Sequence, residues 1–313
     1  MATGVMNLNW RVTTDRGDFA VKRVTDRSPE AYRAAQEMLP RLAGLGFPVP
    51  VPRWTGEGSA LLQINGFRYG VSEWLPGAHP SGSELDAAAC VSLGDLVGRL
   101  HLALTGLCPP APASQPDVPA DACRTRAELR RYAAMAARRH GEFDRLAAAE
   151  IDRRLALLDT VAARRPPEAD LAPCGWTHGD LQPLNLLMDR GRVTGVLDWD
   201  RLGVRPYGLE VLRTVTIMFS GGGRTALDLE RAAAFVRGYR ARVPITAGQL
   251  ADAADRRWWT LATETWQLRR HYEDGDDRCD RLFTTRGTFL HWWSRHRADL
   301  REMLSASAAW PAR

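Results

Sequence analysis

The sequence predicts an α+β fold: a small N-terminal antiparallel sheet carrying one helix, then a larger and mainly helical part. Three observations predict it. Short runs of alternating apolar and polar residues, separated by Gly and Asp turns, recur up to about residue 75. A single helical pattern interrupts them. After Gly77 the apolar residues take up helical spacing and, with one interruption, keep it to the end.

In chain order, NWRV, DFAVKRV and FRYGVSEWL are strand-like, rich in β-branched and aromatic residues. Between the second and third, residues 29–42 form a helix with Ser28 as N-cap and Pro29 in the first turn, where its missing N–H is no loss. Pro76 and Gly77 mark a junction that divides the chain into residues 1–76 and 77–313. Residues 83–104 form the next helix, a Pro/Ala-rich link occupies 109–120, and two long helices cover 125–139 and 143–165. A loop and the strand-like run VTGVL then intervene, and four amphipathic stretches follow from Tyr207. The glycines at 221–223 read as a turn between helices, because no strand leads into them as a phosphate loop requires.

Composition narrows the class without naming an activity. A chain of 313 residues suffices for one large domain or two lobes, and 45% hydrophobic with 25% charged residues excludes disordered, collagen-like and membrane classes. The net charge of +5 comes from scattered arginines, which describes a solvated surface rather than a nucleic-acid footprint. Cys90, Cys108, Cys123, Cys174 and Cys279 show no CxxC spacing, so reduced thiols are expected rather than disulfides or a zinc site. With no signal-type leader and no apolar run of spanning length, a cytoplasmic protein with no membrane contact is expected.

The chemistry is concentrated in WTHGDLQPLNLLMDRGRVTGVLDWD, which begins at Trp176. Asp180 follows a His-Gly pair, and Asn185 comes five residues later among leucines that fix the loop against a core. A carboxylate so held can orient an acceptor hydroxyl and take its proton, while the amide oxygen of Asn185 is a hard donor suited to magnesium. Thirteen residues beyond Asn185, VTGVL delivers Asp198, a second carboxylate able to bridge a metal to nucleotide phosphates. HGD alone is a weak signal, since Asp after Gly is usually a turn and a lone His is usually structural. The full order HGDxxxxN, strand, DWD carries the information.

HGDLQPLNLL followed by GVLDWD resembles the aminoglycoside phosphotransferase family, relatives of choline kinases and more distantly of protein kinases. The resemblance spans roughly residues 4–293 and is most specific between 177 and 200. It implies a bilobal protein-kinase-like fold, ATP (or GTP) as co-substrate with Mg2+, and phosphorylation of a small hydroxylated acceptor. It also implies Asp180 as catalytic base and Asn185 with Asp198 as metal ligands. In DFAVKRV, strand alternation puts Ala20, Lys22 and Val24 on one face. Ala20 there leaves room for an adenine and Lys22 reaches the α and β phosphates, matching the family's strand-three lysine. VSEWLPG resembles the family's hinge, with backbone groups of Glu73, Trp74 and Leu75 at the adenine edge. Of the glycine-rich phosphate loop only Gly4 and Asn7 remain, so a short nucleotide cover is expected. The family also pairs its lysine with a helix glutamate. Glu37 is the nearest candidate, but a buried face through Tyr32, Ala35, Leu39 and Leu42 turns Gln36 inward and Glu37 away, and the pairing stays open.

Two features bear on the acceptor. The acidic run YEDGDD at 272–277, with Asp280, offers either a lure for a polycation or a solvated turn. Trp258, Trp259, Trp266, Trp292 and Trp293 offer either a stacking platform or core. His101 is expected to pack within its helix, and Glu210 to support the loop electrostatically. The resemblance points to an antibiotic or other sugar-bearing acceptor, with a metabolic kinase of choline, homoserine or sugar type, or a silent kinase-like binding module, as alternatives.

Overall fold

The computed structural model describes residues 2–3, 8–25, 28–220 and 225–306. Strands β1 (Ala2–Thr3), β2 (Leu8–Thr14), β3 (Gly17–Val24), β4 (Pro52–Arg53), β5 (Leu62–Ile64) and β6 (Phe67–Glu73) form one antiparallel sheet in the order β1-β2-β3-β6-β4, with β5 on β6. Ala20 faces Ser72, and Lys22 faces Gly70, across β3 and β6. Helix α1 (Pro29–Gly44) is capped by Ser28, whose hydroxyl oxygen accepts from the Ala31 N–H at 3.2 Å. Such a cap contributes about 1 kcal/mol. The buried face of α1 holds Tyr32, Ala35, Gln36, Met38, Leu39 and Leu42. Tyr32 fits beneath the sheet because position 70 is glycine; a methyl group there would overlap the phenol.

Four helices build the centre of the larger part, α2 (Ala87–Leu107), α3 (Ala122–Ala136), α4 (Glu142–Val161) and α5 (Tyr207–Met218). Helices α6 (Leu229–Arg240), α7 (Ala247–Thr263), α8 (Trp266–Tyr272), α9 (Asp280–Arg295) and α10 (Arg297–Ala306) complete it. Three two-stranded ribbons lie among them: β7 (Gln115–Asp117) with β8 (Ala169–Leu171), β9 (Cys174–Thr177) with β12 (Gly203–Pro206), and β10 (Leu186–Asp189) with β11 (Arg192–Val196). Helices α2 and α6 approach backbone to backbone, since a methyl group at Gly94 would overlap the Phe235 carbonyl and one at Gly238 the Val91 carbonyl. One continuous core runs through these helices and into α1, taking in Leu39, Leu42, Phe47 and Val49.

Two expectations are corrected, and two left open are resolved. The four stretches after Tyr207 are six helices among the described residues, because the chain breaks at Glu264–Thr265 and again at His296. Helix α2 is, contrary to the sequence reading, long and apolar enough to cross a membrane. Its Leu93, Leu96, Val97, Leu100 and Leu104 are instead spent on the core. The acidic run is a tied turn: Asp276 is clamped by Arg270 and Arg278, Asp280 meets His271 at 2.9 Å, and Glu273 meets Arg131 at 2.6 Å. Trp258, Trp259 and Trp293 are core residues and Trp292 packs against the same core. Gly4, Asn7 and the glycines at 221–223 lie outside the described residues.

Candidate active site

The HGD segment leaves β9 at Thr177, which pairs with Gly203 on β12. Its turn needs glycine at 179: φ is +78°, and a side chain would overlap the Arg201 carbonyl and the Arg205 guanidinium. The Gly179 N–H donates to Glu210 Oε1 at 3.1 Å, from the first turn of α5. Glu210 is almost fully buried, and burial raises its pKa against the opposing pull of Arg213 and Arg205. His178 is buried beneath the turn, with Nε2 2.8 Å from the Leu197 carbonyl and Nδ1 accepting from the Asp180 N–H at 3.2 Å. That pairing fixes one neutral tautomer, and burial lowers the imidazole pKa. The histidine is a strut joining the Asp180 and Asp198 segments.

Asp180 and Asn185 share one loop. The Asn185 Nδ2 donates to the Asp180 carbonyl at 2.8 Å, which leaves the amide oxygen for another partner. The Asp180 carboxylate is paired with Arg213 of α5, accepts a hydrogen bond from Gln182 at 3.4 Å, and lies 3.9 Å from Arg201 Nε. Across the cleft, Lys22 Nζ lies 2.6 Å from Asp198 Oδ1 and 2.6 Å from Asp200 Oδ2. Burial pulls the Lys22 pKa down, but the two carboxylates outweigh it and leave the value raised. Asp198 sits at φ +61°, a left-handed backbone rare outside glycine, between β11 and a tight turn anchored by the buried Trp199. Among the described residues no three His, Cys, Asp or Glu side chains group as a metal cage. Asn185 and Asp198 each carry a hard side-chain oxygen, and their segments are joined where the Leu197 N–H donates to the Asn185 carbonyl at 2.8 Å.

The predicted residues divide accordingly. Lys22 and Asp198 meet although 176 positions apart, and Ala20 lies on the same strand face as Lys22. Glu37 does not meet Lys22; it points outward and pairs with Arg33 at 2.8 Å, while Tyr32 and Gln36 turn inward. In the hinge, the Glu73 N–H donates to the Val51 carbonyl at 3.0 Å and the Trp74 N–H to the Asp18 carbonyl at 3.2 Å. The Leu75 N–H has no such partner among the described residues. Sequence reasoning missed three participants. Asp200 was visible as the second acid of DWD, whereas Arg213 and Tyr32 carry no motif and come into place only through helix packing. The Tyr32 phenol, buried and near Asp200 and Asp198, has its pKa pushed up.

Comparison with known proteins assigns the chain to a family. Residues 2–245 match the model of the APH phosphotransferase enzyme family. A homoserine kinase of Gluconobacter oxydans is 30% identical over 64% of this chain and 58% of its own length, so the match spans less than two thirds of that enzyme. A homoserine kinase of Methylobacillus flagellatus is 27% identical over 82% of this chain and 76% of its own. A spectinomycin phosphotransferase solved with ADP and spectinomycin shares the fold with a TM-score of 0.63, at 13% identity over 96% of this chain and 91% of its own. With a sheet holding a lysine over paired aspartates and a family match across most of its length, the chain belongs to the APH phosphotransferase enzyme family, with the protein-kinase-like fold of that family.

Proposed function

We propose that the protein is an O-phosphotransferase that moves the γ-phosphoryl group of ATP to a hydroxyl of a small molecule. The observation that carries this is the meeting of Lys22 with Asp198 and Asp200 beside the loop that holds Asp180 and Asn185. In the reaction the acceptor oxygen forms a bond to phosphorus, the bond from phosphorus to the β-γ bridging oxygen breaks, and ADP leaves. Asp180 orients the hydroxyl and takes its proton. Lys22 exchanges an aspartate partner for the α and β phosphates, Ala20 leaves room for the base, and the hinge at Glu73, Trp74 and Leu75 meets its edge, chiefly through the Leu75 N–H. Asn185 and Asp198 would hold Mg2+, which when bound neutralises phosphate charge. The rest is positioning, since this chemistry asks little covalent work of the protein.

For the acceptor we place a small hydroxylated metabolite of the homoserine kind ahead of an antibiotic. Relatives named homoserine kinase match at 27–30% identity, while the spectinomycin enzyme shares the fold alone. A silent binding module is disfavoured by the retention of Lys22, Asp180, Asn185 and Asp198. The test is mass spectrometry of a hydroxy-compound panel incubated with protein, ATP and Mg2+. Appearance of a phosphorylated acceptor, lost with Asp180→Asn, is expected. Magnesium-dependent ATP binding with no phosphorylation of any hydroxyl compound would overturn the enzymatic reading.

A further inference from the structure

Lys22 lies between two carboxylates at the same distance, 2.6 Å, yet the two are not equivalent. The Asp200 side chain is 6% exposed and that of Asp198 is 38% exposed. Asp200 is carried by the tight turn Trp199–Arg201, which is pinned by the buried Trp199 indole, whose N–H donates to the Val196 carbonyl at 2.8 Å. Asp198 precedes that turn and follows Leu197, whose N–H donates to the Asn185 carbonyl, so it is the acid beside the Asn185 loop. Among the described residues no carboxylate of α1 meets Lys22: Glu37 pairs with Arg33 on the outer side, and Tyr32, Ala35 and Gln36 turn inward. The Tyr32 hydroxyl occupies the place a methyl group on Gly70 would take, and Gly70 faces Lys22 across β3 and β6. A phenol therefore fills the helix side of the lysine.

We infer that Asp200 is a positioning residue: it keeps Lys22 aimed into the nucleotide site throughout, and Asp198 is the partner that departs. This rests on the phosphotransferase reading, in which Lys22 gives up one aspartate, and adds which one and what the other then does. The difference in exposure decides between them. Asp200, nearly enclosed, would be left buried and unpaired if the ammonium withdrew, whereas the more exposed Asp198 exchanges it for solvent or a cation. Lys22, itself only 17% exposed, in turn never stands without an anion. Asp200 thus does from the turn after β11 what an ion pair with a helix glutamate does for the corresponding lysine of protein kinases.

Two measurements test this, and neither needs the acceptor. The first is the crystal structure of the protein with Mg2+ and the β,γ-imido analogue of ATP. Lys22 Nζ should remain about 3 Å from Asp200 and part from Asp198. The second is calorimetry of the same nucleotide and Mg2+ in a double-mutant cycle. Asp200→Asn should weaken binding about 10-fold or more, because the amide no longer neutralises the lysine and Lys22 closes on Asp198. In the Lys22→Met background the same substitution should cost nothing, since no ammonium is left to aim. A residue that merely shapes the turn, or one that ligates the cation, would cost the same in both backgrounds. Equal costs, or a complex in which Lys22 keeps Asp198 and leaves Asp200, overturn the assignment and leave the kinase standing. Should Asp200→Asn not fold, the parent complex decides alone. A complex and cycle as expected, with no phosphoryl transfer to any hydroxyl, uphold the assignment and overturn the kinase. A parent that binds no nucleotide overturns both.

Discussion

Asp180 is held by a charge on one side and a hydrogen bond on the other, through Arg213 and Gln182. Replacing it with asparagine keeps the shape of the loop but removes the carboxylate proposed to accept the hydroxyl proton. Asp180→Asn should keep the melting temperature and ATP affinity close to the parent and lower kcat by roughly 100- to 10,000-fold, read in a steady-state assay. Two buried titratable groups tie stability to pH in opposite directions. His101, buried against Tyr239 with Nδ1 2.9 Å from its hydroxyl, has its pKa pulled down by burial and by His178 to about 3. A histidine with a depressed folded pKa contributes stability above its unfolded pKa of about 6.5, and that stability is lost as pH falls toward the folded value, on the order of 5 kcal/mol in full. Glu210 has the opposite sign. Its pKa is raised by burial, so its contribution is present below the ordinary glutamate range and is lost as pH rises through the higher folded value. Urea titrations from pH 4 to 8 should therefore show His101→Gln flattening the fall in stability toward acid and Glu210→Gln flattening the fall above the ordinary glutamate range, the amide oxygen still accepting from Gly179. An unaltered pH profile in both variants counts against burial as the source of these limits.

At the scale of the element, α2 and α6 meet where glycine leaves no side chain between them. Gly94→Ala should destabilise the protein by about 1 to 3 kcal/mol, because the methyl group must displace the backbone at Phe235; a urea midpoint that does not fall would contradict this packing. The sequence carried the long helices and the three principal strands well, since a period sustained over many residues survives averaging. It carried the short ribbons poorly. Strands such as β7 and β8 have three residues each, too few for alternation to show, and they exist because a partner strand is presented to them. The same divide runs through the site. Lys22, Asp180, Asn185 and Asp198 sit in local patterns that chemistry makes legible, and strand alternation placed Lys22 on the inner face. The helical period already turned Glu37 away from the buried face of α1, where it pairs with Arg33, and only the family's lysine pairing was left open. Arg213 reaches Asp180 only because α5 is seated on the HGD turn by Glu210, a contact no spacing rule contains.

For the whole molecule, the sheet and the helices are joined by more than the hinge. Leu39 and Leu42 of α1 are buried in the core of the helical part, and the Pro48 carbonyl accepts from the Val196 N–H of β11 at 2.7 Å. Leu42→Ala should cost about 2 to 5 kcal/mol and shift the fluorescence of the buried tryptophans as well as the far-UV signal, as one transition. Separate transitions would mean that α1 is held more loosely than its burial implies. A consequence follows for anyone recombining this protein with a relative. The obvious crossover, Pro76–Gly77, severs the chain where it is thin but leaves half of a hydrophobic seam on each fragment: Met38, Leu39, Leu42 and Phe47 travel with the front piece, and the surface they covered stays with the back. A chimera made there inherits two unmatched halves and should aggregate, whereas grafting only the strands around α1, and keeping residues 29–49 with their native helices, preserves the seam intact.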